Sequence, residues 1–259
     1  MSKVDNDFNK LCAYVLNNGK EYHNKNRGVK RMQVPSYNFR HEMSDGFPAL
    51  STKRLYFKGV TGELIWFLRG DNHTKYLKDN GIHIWDKDAL NFYNKENGTN
   101  LTLKEFQENV GSYSVGQNYS VQWRDYNGNT DQVKYIIDEM KRDIMSSRIK
   151  LNAWNPSELN KTALPPCHDA FLIVGVPLSI EQRVNTVEYD DDVFGLWNEI
   201  LNIKYSVFGF FKRKKLAELS EKLETALDKI NAVKFGFELH WSQRSVDLFL
   251  GLPFNIASY

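Results

Sequence analysis

The sequence predicts a mixed α/β (α+β) fold, because helical and strand-like patterns alternate along the chain. Apolar residues recur at helical spacing near the start, around residues 60–68 and again at 131–142. Two short apolar runs, 151–154 and 170–174, have the length and composition of strands. With 41% apolar residues in 259, the chain can bury one sizeable core. We therefore expect one domain, with or without an appendage.

The first predicted element is an amphipathic helix close to the start of the chain. Its apolar face consists of Phe8, Leu11, Cys12, Val15 and Leu16, and Asn17-Asn18-Gly19 follows as a stop signal. An unperturbed cysteine packs as a small hydrophobe. Cys12 is therefore predicted to be a core thiol.

A basic, strand-like segment with Pro35 inside it follows, which indicates an edge or bulged strand. The next helix has an apolar face of Val60, Leu64, Phe67 and Leu68, and Glu63 lies among these residues. Burial would raise the pKa of a carboxyl group at that position, which suits a general acid. A salt bridge at the rim of the core is the alternative.

The middle of the chain is less informative. Residues 87–116 are polar and rich in Asn, so we expect surface structure with one short helix at 101–109. A periodic helix then covers 131–142, with Val133, Ile136, Ile137 and Met140 on one face. This helix is predicted to face the core.

The second cysteine lies in a stiff turn. Pro165 and Pro166 restrict the backbone immediately before Cys167, and the apolar run 170–174 follows as a predicted central strand. A nucleophile would be held in one orientation by such a turn. Cys167 is therefore a candidate for chemistry rather than for packing.

Composition excludes several classes of protein. The formal net charge is +2, and Lys and Arg are interspersed with acids, so nucleic acid is not indicated as a partner. No apolar run reaches the roughly 18 residues of a membrane span, and the polar start lacks a secretory signal. Two cysteines favour a reduced compartment, and we expect a cytoplasmic protein.

Four motifs resemble those of the thymidylate synthase family. ALPPCH at 163–168 is similar to its nucleophile motif, and QRSVDLFLGLPFNIASY at 243–259 to its nucleotide-binding motif. FPALSTKRLYFKGVTGELIWFLRG resembles its glutamate segment, and IHIWD its folate-side tryptophan loop. The likeness covers most of 8–175 and 235–259. It implies a large mixed sheet flanked by helices, a homodimer with shared active sites, and methylation of dUMP to dTMP by 5,10-methylenetetrahydrofolate without a metal.

The resemblance also implies catalytic roles for individual residues. The Cys167 thiolate would add to C6 of uracil, which makes C5 nucleophilic toward the folate methylene. Glu63 would handle protons during folate ring opening and at the uracil carbonyl, and Tyr119 would lie near the C5 proton. His168 and Asp247 match residues that line the base pocket.

The binding residues follow from the same comparison. Asn255 matches the asparagine that recognises uracil through its amide. Forked cationic donors suit a phosphate, and the candidates for nucleotide binding are Arg27, Arg148, Gln243, Arg244 and Ser245. Ile84 and Trp85, together with Glu63, would contact the folate.

Three departures from the family motifs affect the site. The chain has Tyr119-Ser120 where the family has Tyr-Gly, and Arg27-Gly28 where it has Arg-Thr-Gly. It also has Ser147-Arg148 where the family has paired arginines. Losing one charge-assisted phosphate contact is expected to cost about 1.5 to 3 kcal/mol, which weakens nucleotide binding without abolishing it.

Residues 176–234 stand where the family has a short hairpin, so they are predicted to be an inserted helical module within a catalytic domain of 1–175 and 235–259. A helical hairpin is expected, whose second helix has Leu216, Leu219, Leu223, Ala226 and Ile230 on one face. The module would be either a tolerated decoration or a surface for a partner.

The chain stops at Tyr259, where a family member would begin a long buried helix. On this basis a second chain supplying the rest is one expectation, and an inactive or poorly folded chain by itself is another. Two other functions fit the same motifs. One is hydroxymethylation of a deoxypyrimidine monophosphate, and the other is binding of dUMP without turnover.

Overall fold

The computed structural model describes residues 1–24, 29–206 and 212–258. The helices are α1 Lys3–Asn18, α2 Phe57–Leu68, α3 Lys75–Asp79, α4 Asp86–Asn97, α5 Leu103–Asn109, α6 Tyr119–Arg124, α7 Gln132–Arg142, α8 Ile180–Val184, α9 Asp191–Lys204, α10 Arg213–Lys229 and α11 Gly251–Ser258. The strands are β1 Lys20–Asn24, β2 Val29–Gln33, β3 Lys150–Asn152, β4 His168–Pro177 and β5 Phe235–Gln243. This combination confirms the mixed α/β class.

The strands form two small sheets. β1 and β2 pair antiparallel, with Lys20 opposite Gln33. The second sheet has the order β3-β4-β5, so β4 is its middle strand, which confirms the prediction of a central strand at 170–174. Within the described residues the largest sheet has three strands. The large mixed sheet that the resemblance implies is therefore not confirmed.

The chain divides into two compact units. The first contains Met1–Lys134, Leu151–Ala170 and Ser242–Tyr259, and the second contains Tyr135–Lys150 and Phe171–Trp241. The boundaries predicted at 175 and 235 for an inserted module are not tested by this division. They stay a prediction.

In the first unit, α1 is capped and its buried face differs from the predicted one. The Ser2 side chain and the Asp5 carboxylate form a capping box at its start. Phe8 and Leu11 are buried, but Cys12 is only half-buried and Leu16 is 72% exposed. The buried stripe begins one turn earlier, at Val4, so the prediction of a core thiol at Cys12 was wrong.

The core of the first unit is built around α2, which packs against α6 and α11. Trp66, Phe67 and Glu63 of α2 are buried, whereas Leu68, which was predicted to share this face, is exposed. Phe67 contacts Tyr119 and Trp123 of α6, with ring centroids 4.8 and 5.5 Å apart. Phe67 lies one helical turn after Glu63, so these aromatic rings pack on the face of α2 that carries the glutamate.

The polar segment 87–116 contains a helix that the sequence analysis did not predict. α4 buries Ala89, Leu90 and Phe92, and Gly98 follows it as the C-cap. The short helix expected at 101–109 is confirmed as α5, which Thr102 and Glu105 begin with a capping box. The Asn-rich composition concealed the apolar face of α4.

The second unit contains the helical hairpin predicted within 176–234. α9 and α10 pack against each other with the short α8 beside them. Their apolar cluster consists of Val184, Val193, Ile200, Ile203, Leu219, Leu223 and Leu227. Ile230, predicted to share this face, is exposed because α10 ends at Lys229. Over the described ranges no helix has both the length and the apolar composition needed to cross a membrane.

Candidate active site

The turn that carries Cys167 is held by hydrogen bonds to its backbone. The Cys167 N–H donates to the Tyr119 hydroxyl oxygen at 2.7 Å, and the Arg244 N–H donates to the Cys167 carbonyl at 2.9 Å. The Cys167 side chain is half-buried and is not in a disulfide. The preceding prolines and these two bonds together leave the cysteine backbone little freedom.

Tyr119 begins α6 and lies at the centre of the site. It is buried and stacks on His168, with ring centroids 4.0 Å apart and planes 15° from parallel. Burial raises the pKa of Tyr119 well above its usual range, and the neighbouring Cys167 charge raises it further. The phenol is therefore neutral and can donate its proton in a hydrogen bond.

His168, the first residue of β4, is a neutral imidazole in this environment. It is buried, and burial lowers its pKa from 6.5 to about 3. A protonated ring would have to lose its hydration among aromatic neighbours such as Phe67, whose centroid lies 6.3 Å away. His168 can accept or donate hydrogen bonds here but does not supply positive charge at neutral pH.

Glu63 is 9% exposed, and its hydrogen-bond donor is the Trp85 indole N–H at 2.6 Å. Burial raises the pKa of Glu63 from 4.5 to about 7, against the opposing effect of the bond from Trp85. Because its partner is a neutral indole, the structure favours the desolvated acid over the alternative of a rim salt bridge. Near neutral pH this carboxyl group exchanges a proton readily.

These residues form one group, which we call the Tyr119 cluster: Glu63, Trp85, Tyr119, Cys167 and His168. The Trp85 and Tyr119 ring centroids are 6.4 Å apart. The charge of Glu63 is also close enough to Tyr119 to raise the pKa of its phenol. A thiol, a proton-exchanging carboxyl, a phenol and a neutral imidazole are thus brought together from three segments: α2, α6 and the turn at Cys167-His168.

Arg244 lies beside the cysteine turn. Its guanidinium donates to the Pro166 carbonyl at 2.6 Å and to the Pro165 carbonyl at 3.0 Å. The same guanidinium lies over the Trp154 ring, 5.0 Å from the centroid. Arg244 therefore places a fixed positive charge next to the turn that carries Cys167.

The residues after Arg244 shape the start of α11. The Asp247 carboxylate accepts from the Phe249 N–H at 2.9 Å and from the Leu250 N–H at 2.7 Å. Asn255 lies on α11, and a Cβ placed on Gly251 would stand 3.8 Å from its amide nitrogen. Asp247 thus orders the turn that precedes the helix bearing Asn255.

The remaining predicted binding residues are in different situations. Ser245 is exposed, whereas both amide atoms of Gln243 are buried with no hydrogen-bond partner among the described residues. Ile84 is 36% exposed and immediately precedes the buried Trp85. Arg148 is exposed and belongs to the second unit. Arg27 lies outside the described residues.

Phe67 and Trp154 also belong to the site, although no sequence pattern indicates this. Phe67 supports both rings of the Tyr119–His168 stack, and Trp154 underlies Arg244. The sequence around these two residues does not mark them as part of a functional site, because an aromatic residue in an apolar pattern usually belongs to the hydrophobic core. In the parts of the chain that the structure describes, no group of three or more His, Cys, Asp or Glu residues is arranged to hold a metal ion.

Comparison with known proteins agrees with the motifs. The sequence profile described as thymidylate synthase matches residues 6–188. A thymidylate synthase of Mycoplasma genitalium is 33% identical over 258 residues, which cover 96% of this chain and 69% of that protein. A thymidylate synthase of Aster yellows witches'-broom phytoplasma is 31% identical over 264 residues, covering 98% of this chain and 71% of that protein.

Proposed function

Because the chain belongs to the thymidylate synthase family, we propose that it methylates dUMP reductively to dTMP with 5,10-methylenetetrahydrofolate as co-substrate. The observation that carries this proposal is the Tyr119 cluster. Its hydrogen bonds and ring contacts join Cys167 to Tyr119 and Glu63 to Trp85. These are the residue types that nucleophilic addition to uracil and the accompanying proton transfers need.

The first step of the proposed reaction is addition of the Cys167 thiolate to C6 of uracil. A bond forms between Sγ and C6, and the electron pair of the C5–C6 double bond moves toward C5 and the O4 carbonyl. The reactive form is the thiolate, and a nearby cation stabilises it. Arg244, bound to the carbonyls of Pro165 and Pro166, supplies positive charge beside this turn.

Glu63 is proposed as the proton-exchanging group. With a pKa of about 7, it can donate a proton toward the uracil O4 and take one back at the same pH. Trp85 orients the carboxyl group through its indole N–H. When bound, methylenetetrahydrofolate supplies the one-carbon group and the hydride that reduces it.

Tyr119 and His168 are proposed to serve the later proton transfer. The Tyr119 oxygen accepts the Cys167 N–H, so the phenol proton remains available to a group near C5. A water that accepts a hydrogen bond from the Tyr119 hydroxyl would take up the C5 proton. The C–H electron pair would then restore the C5–C6 double bond as the Cys167 thiolate leaves C6 with the electron pair of the S–C bond. The stacked, neutral His168 keeps the phenol in place without adding charge.

The proposed nucleotide-binding residues are Gln243, Arg244, Ser245, Asp247 and Asn255, with Arg148 and Arg27 as further phosphate ligands. The Gln243 amide supports this assignment, because buried polar atoms without a protein partner commonly bind a ligand or water. Asn255 has an amide that can both donate to and accept from one edge of uracil. An aspartate at that position would favour cytosine instead.

The folate would be held by Ile84, Trp85 and Glu63. Ile84 offers exposed apolar surface, which suits contact with an aromatic ring system. Trp85 is buried, so its contribution would come mainly through orientation of Glu63. Ile84 is accordingly the residue whose truncation should change folate affinity most directly.

We further propose that the protein works as a cytoplasmic homodimer with shared active sites. Phe237 and Leu239 support an interface, since they lie on the same face of β5 and both are exposed, Phe237 at 53%. A second copy covering this face would remove them from water. Sedimentation of the purified chain tests this, and a monomer at micromolar concentration would contradict it.

The decisive experiment uses 5-fluoro-dUMP and methylenetetrahydrofolate with the purified chain, followed by intact mass measurement. 5-Fluoro-dUMP has fluorine in place of the hydrogen at C5, so the proton loss that would release the product cannot occur. The covalent complex should therefore accumulate. We expect a mass gain equal to both ligands that is lost in Cys167→Ala. The matched control is Cys12→Ala, which changes the only other cysteine and should keep the adduct.

Either of two results would overturn the proposal: an adduct that survives Cys167→Ala, or no adduct from a chain shown by circular dichroism to be folded. With dUMP itself, formation of dihydrofolate distinguishes reductive methylation from hydroxymethylation, because only methylation oxidises the folate.

A further inference from the structure

We propose that Glu139 is a positioning residue, which holds the loop at 143–149 so that Arg148 is presented to a nucleotide phosphate. The loop joins α7 to β3 and lies in the second unit. The inference rests on the proposed function, in which Arg148 is a phosphate ligand. Nothing in the family motifs assigns a role to Glu139.

Glu139 is the buried acid of α7, and two groups bind it. The Arg142 guanidinium donates to its two oxygens at 2.6 and 2.9 Å. The Ser146 hydroxyl donates to the same carboxylate at 2.5 Å. The Ser146 oxygen in turn accepts the Arg148 N–H at 3.2 Å. A continuous chain of hydrogen bonds therefore runs from Glu139 to the backbone of Arg148.

Two further contacts fix the same loop at other points. The Ile149 carbonyl accepts the Ile173 N–H at 2.9 Å, and Ile149 is fully buried. At the other side, the Ile144 carbonyl lies so close to Gly175 that an added Cβ would stand 2.3 Å from its oxygen. Only glycine permits this approach, so the loop is packed against β4 as well as tied to α7.

The arrangement matters because Arg148 is itself exposed and follows a serine. Ser147 stands where the family motif has a second arginine, so a single guanidinium has to serve at this point. A long exposed side chain loses rotamer freedom when it binds, and a fixed backbone reduces that cost. Glu139 and Ser146 fix the backbone of Arg148 without touching a ligand.

The test measures dissociation constants for dUMP and for deoxyuridine, which lacks the phosphate, on the full-length chain. Arg148→Ala should weaken dUMP binding about tenfold or more, as expected for a lost charge-assisted contact. Glu139→Ala and Ser146→Ala should each weaken dUMP binding about three- to tenfold. None of the three should change deoxyuridine binding. Glu139→Gln, which retains an acceptor for Ser146, should recover part of the loss.

A double variant separates positioning from general destabilisation. Once Arg148 is alanine, adding Glu139→Ala should cause no further loss of dUMP affinity. An additional loss in that background, or an equal loss for deoxyuridine, would show a structural role only and overturn the inference. So would normal dUMP binding by both Glu139→Ala and Ser146→Ala.

The outcomes also separate this inference from the proposed function. If the unaltered chain fails to bind dUMP, the proposed function is wrong and this inference falls with it. If the chain binds dUMP but Arg148→Ala binds it equally well, only the role of Arg148, and with it that of Glu139, is wrong. Hydrogen exchange at the Arg148 amide provides a check on folding, since Ser146→Ala should expose that amide locally.

Discussion

Glu63 and His168 show how one physical cause, burial, shifts two pKa values in opposite directions within a single cluster. Burial disfavours the ionised form of both residues, so it raises the pKa of Glu63 to about 7 and lowers that of His168 to about 3. At neutral pH the imidazole is uncharged and the carboxyl group is close to its midpoint. The cluster can therefore exchange a proton at Glu63 near neutral pH, while the His168 ring stacked on Tyr119 stays uncharged.

Glu63→Gln should remove a pH dependence of stability. Well below pH 4.5, Glu63 is protonated in both the folded and the unfolded chain. Between pH 4.5 and about 7, Glu63 ionises in the unfolded chain but stays protonated in the folded chain. The free energy of unfolding therefore falls as the pH rises through this range. The loss is on the order of 3 kcal/mol and is complete above the folded pKa. Urea unfolding between pH 4 and 8 should show this slope in the unaltered chain and not in Glu63→Gln.

The matched control for that experiment is Glu108→Gln, because Glu108 is an exposed residue of α5. Its unfolding profile should follow that of the unaltered chain across the whole pH range. Identical slopes in Glu63→Gln and the unaltered chain would contradict the assignment of the titration to Glu63.

Tyr119→Phe should destabilise the chain by about 1 to 3 kcal/mol, because the Cys167 N–H would lose its acceptor inside the site. We also expect slower adduct formation with 5-fluoro-dUMP, since the turn bearing Cys167 would be less restrained. Tyr113→Phe is the control, because the Tyr113 hydroxyl bonds to Glu96 at the exposed surface. Its unfolding free energy should change by less than about 0.5 kcal/mol, and equal effects of the two changes would refute the role given to the buried bond.

At the scale of elements, the turn between α5 and α6 places Tyr119 through one close backbone contact. Gly116 has a φ of 74°, and a Cβ there would stand 2.0 Å from the Lys161 carbonyl oxygen. The Gln117 N–H donates to that same carbonyl at 2.9 Å. The start of α6 is thus tied to the segment that leads into the cysteine turn.

Gly116→Ala should therefore cost much more than Gly128→Ala. Both glycines have a φ of 74°, so both substitutions carry the left-handed penalty of about 1 to 2 kcal/mol. Only Gly116 adds a backbone clash, since nothing lies within 4 Å of a Cβ at Gly128. Thermal unfolding of the two variants measures the difference, and similar melting temperatures would contradict the close approach at Gly116.

Helix existence was easier to predict than helix orientation. The helices at 8–16, 60–68, 131–142 and 212–230 are all present, yet the predicted faces were wrong at Leu16, Leu68, Ile137 and Ile230, which are exposed. The spacing of apolar residues identifies an apolar stripe along a helix. Which turns of that stripe are buried depends on how far the neighbouring element extends along the helix. α4 was missed because its apolar residues are few and are flanked on both sides by charged and Asn residues.

At the scale of the whole molecule, each unit depends on its own apolar cluster. Leu223 is fully buried in the cluster of α8, α9 and α10. Leu223→Ala should lower the free energy of unfolding by about 2 to 5 kcal/mol through lost burial and the cavity left behind. Leu250→Ala is the control, since Leu250 is 76% exposed and should change stability by less than about 0.5 kcal/mol.

Denaturant unfolding followed by circular dichroism measures both variants. A Leu223→Ala chain as stable as Leu250→Ala would show that the cluster in the second unit does not contribute to folding stability. Since no proposed catalytic residue lies in this cluster, adduct formation by Leu223→Ala at low temperature, where the chain is folded, should be retained.

Local spacing and residue type were enough to predict the mixed class, most helices, and Cys167 with its flanking prolines as the candidate nucleophile. They also identified Glu63 as an acid inside an apolar helix. Tertiary structure alone decided that Trp85 binds this acid, that Tyr119 binds the backbone of Cys167, and that Glu139 is tied to the loop of Arg148. Those pairs are far apart in the chain or face inward from different elements, and local periodicity carries no information about which side chains meet when a core packs.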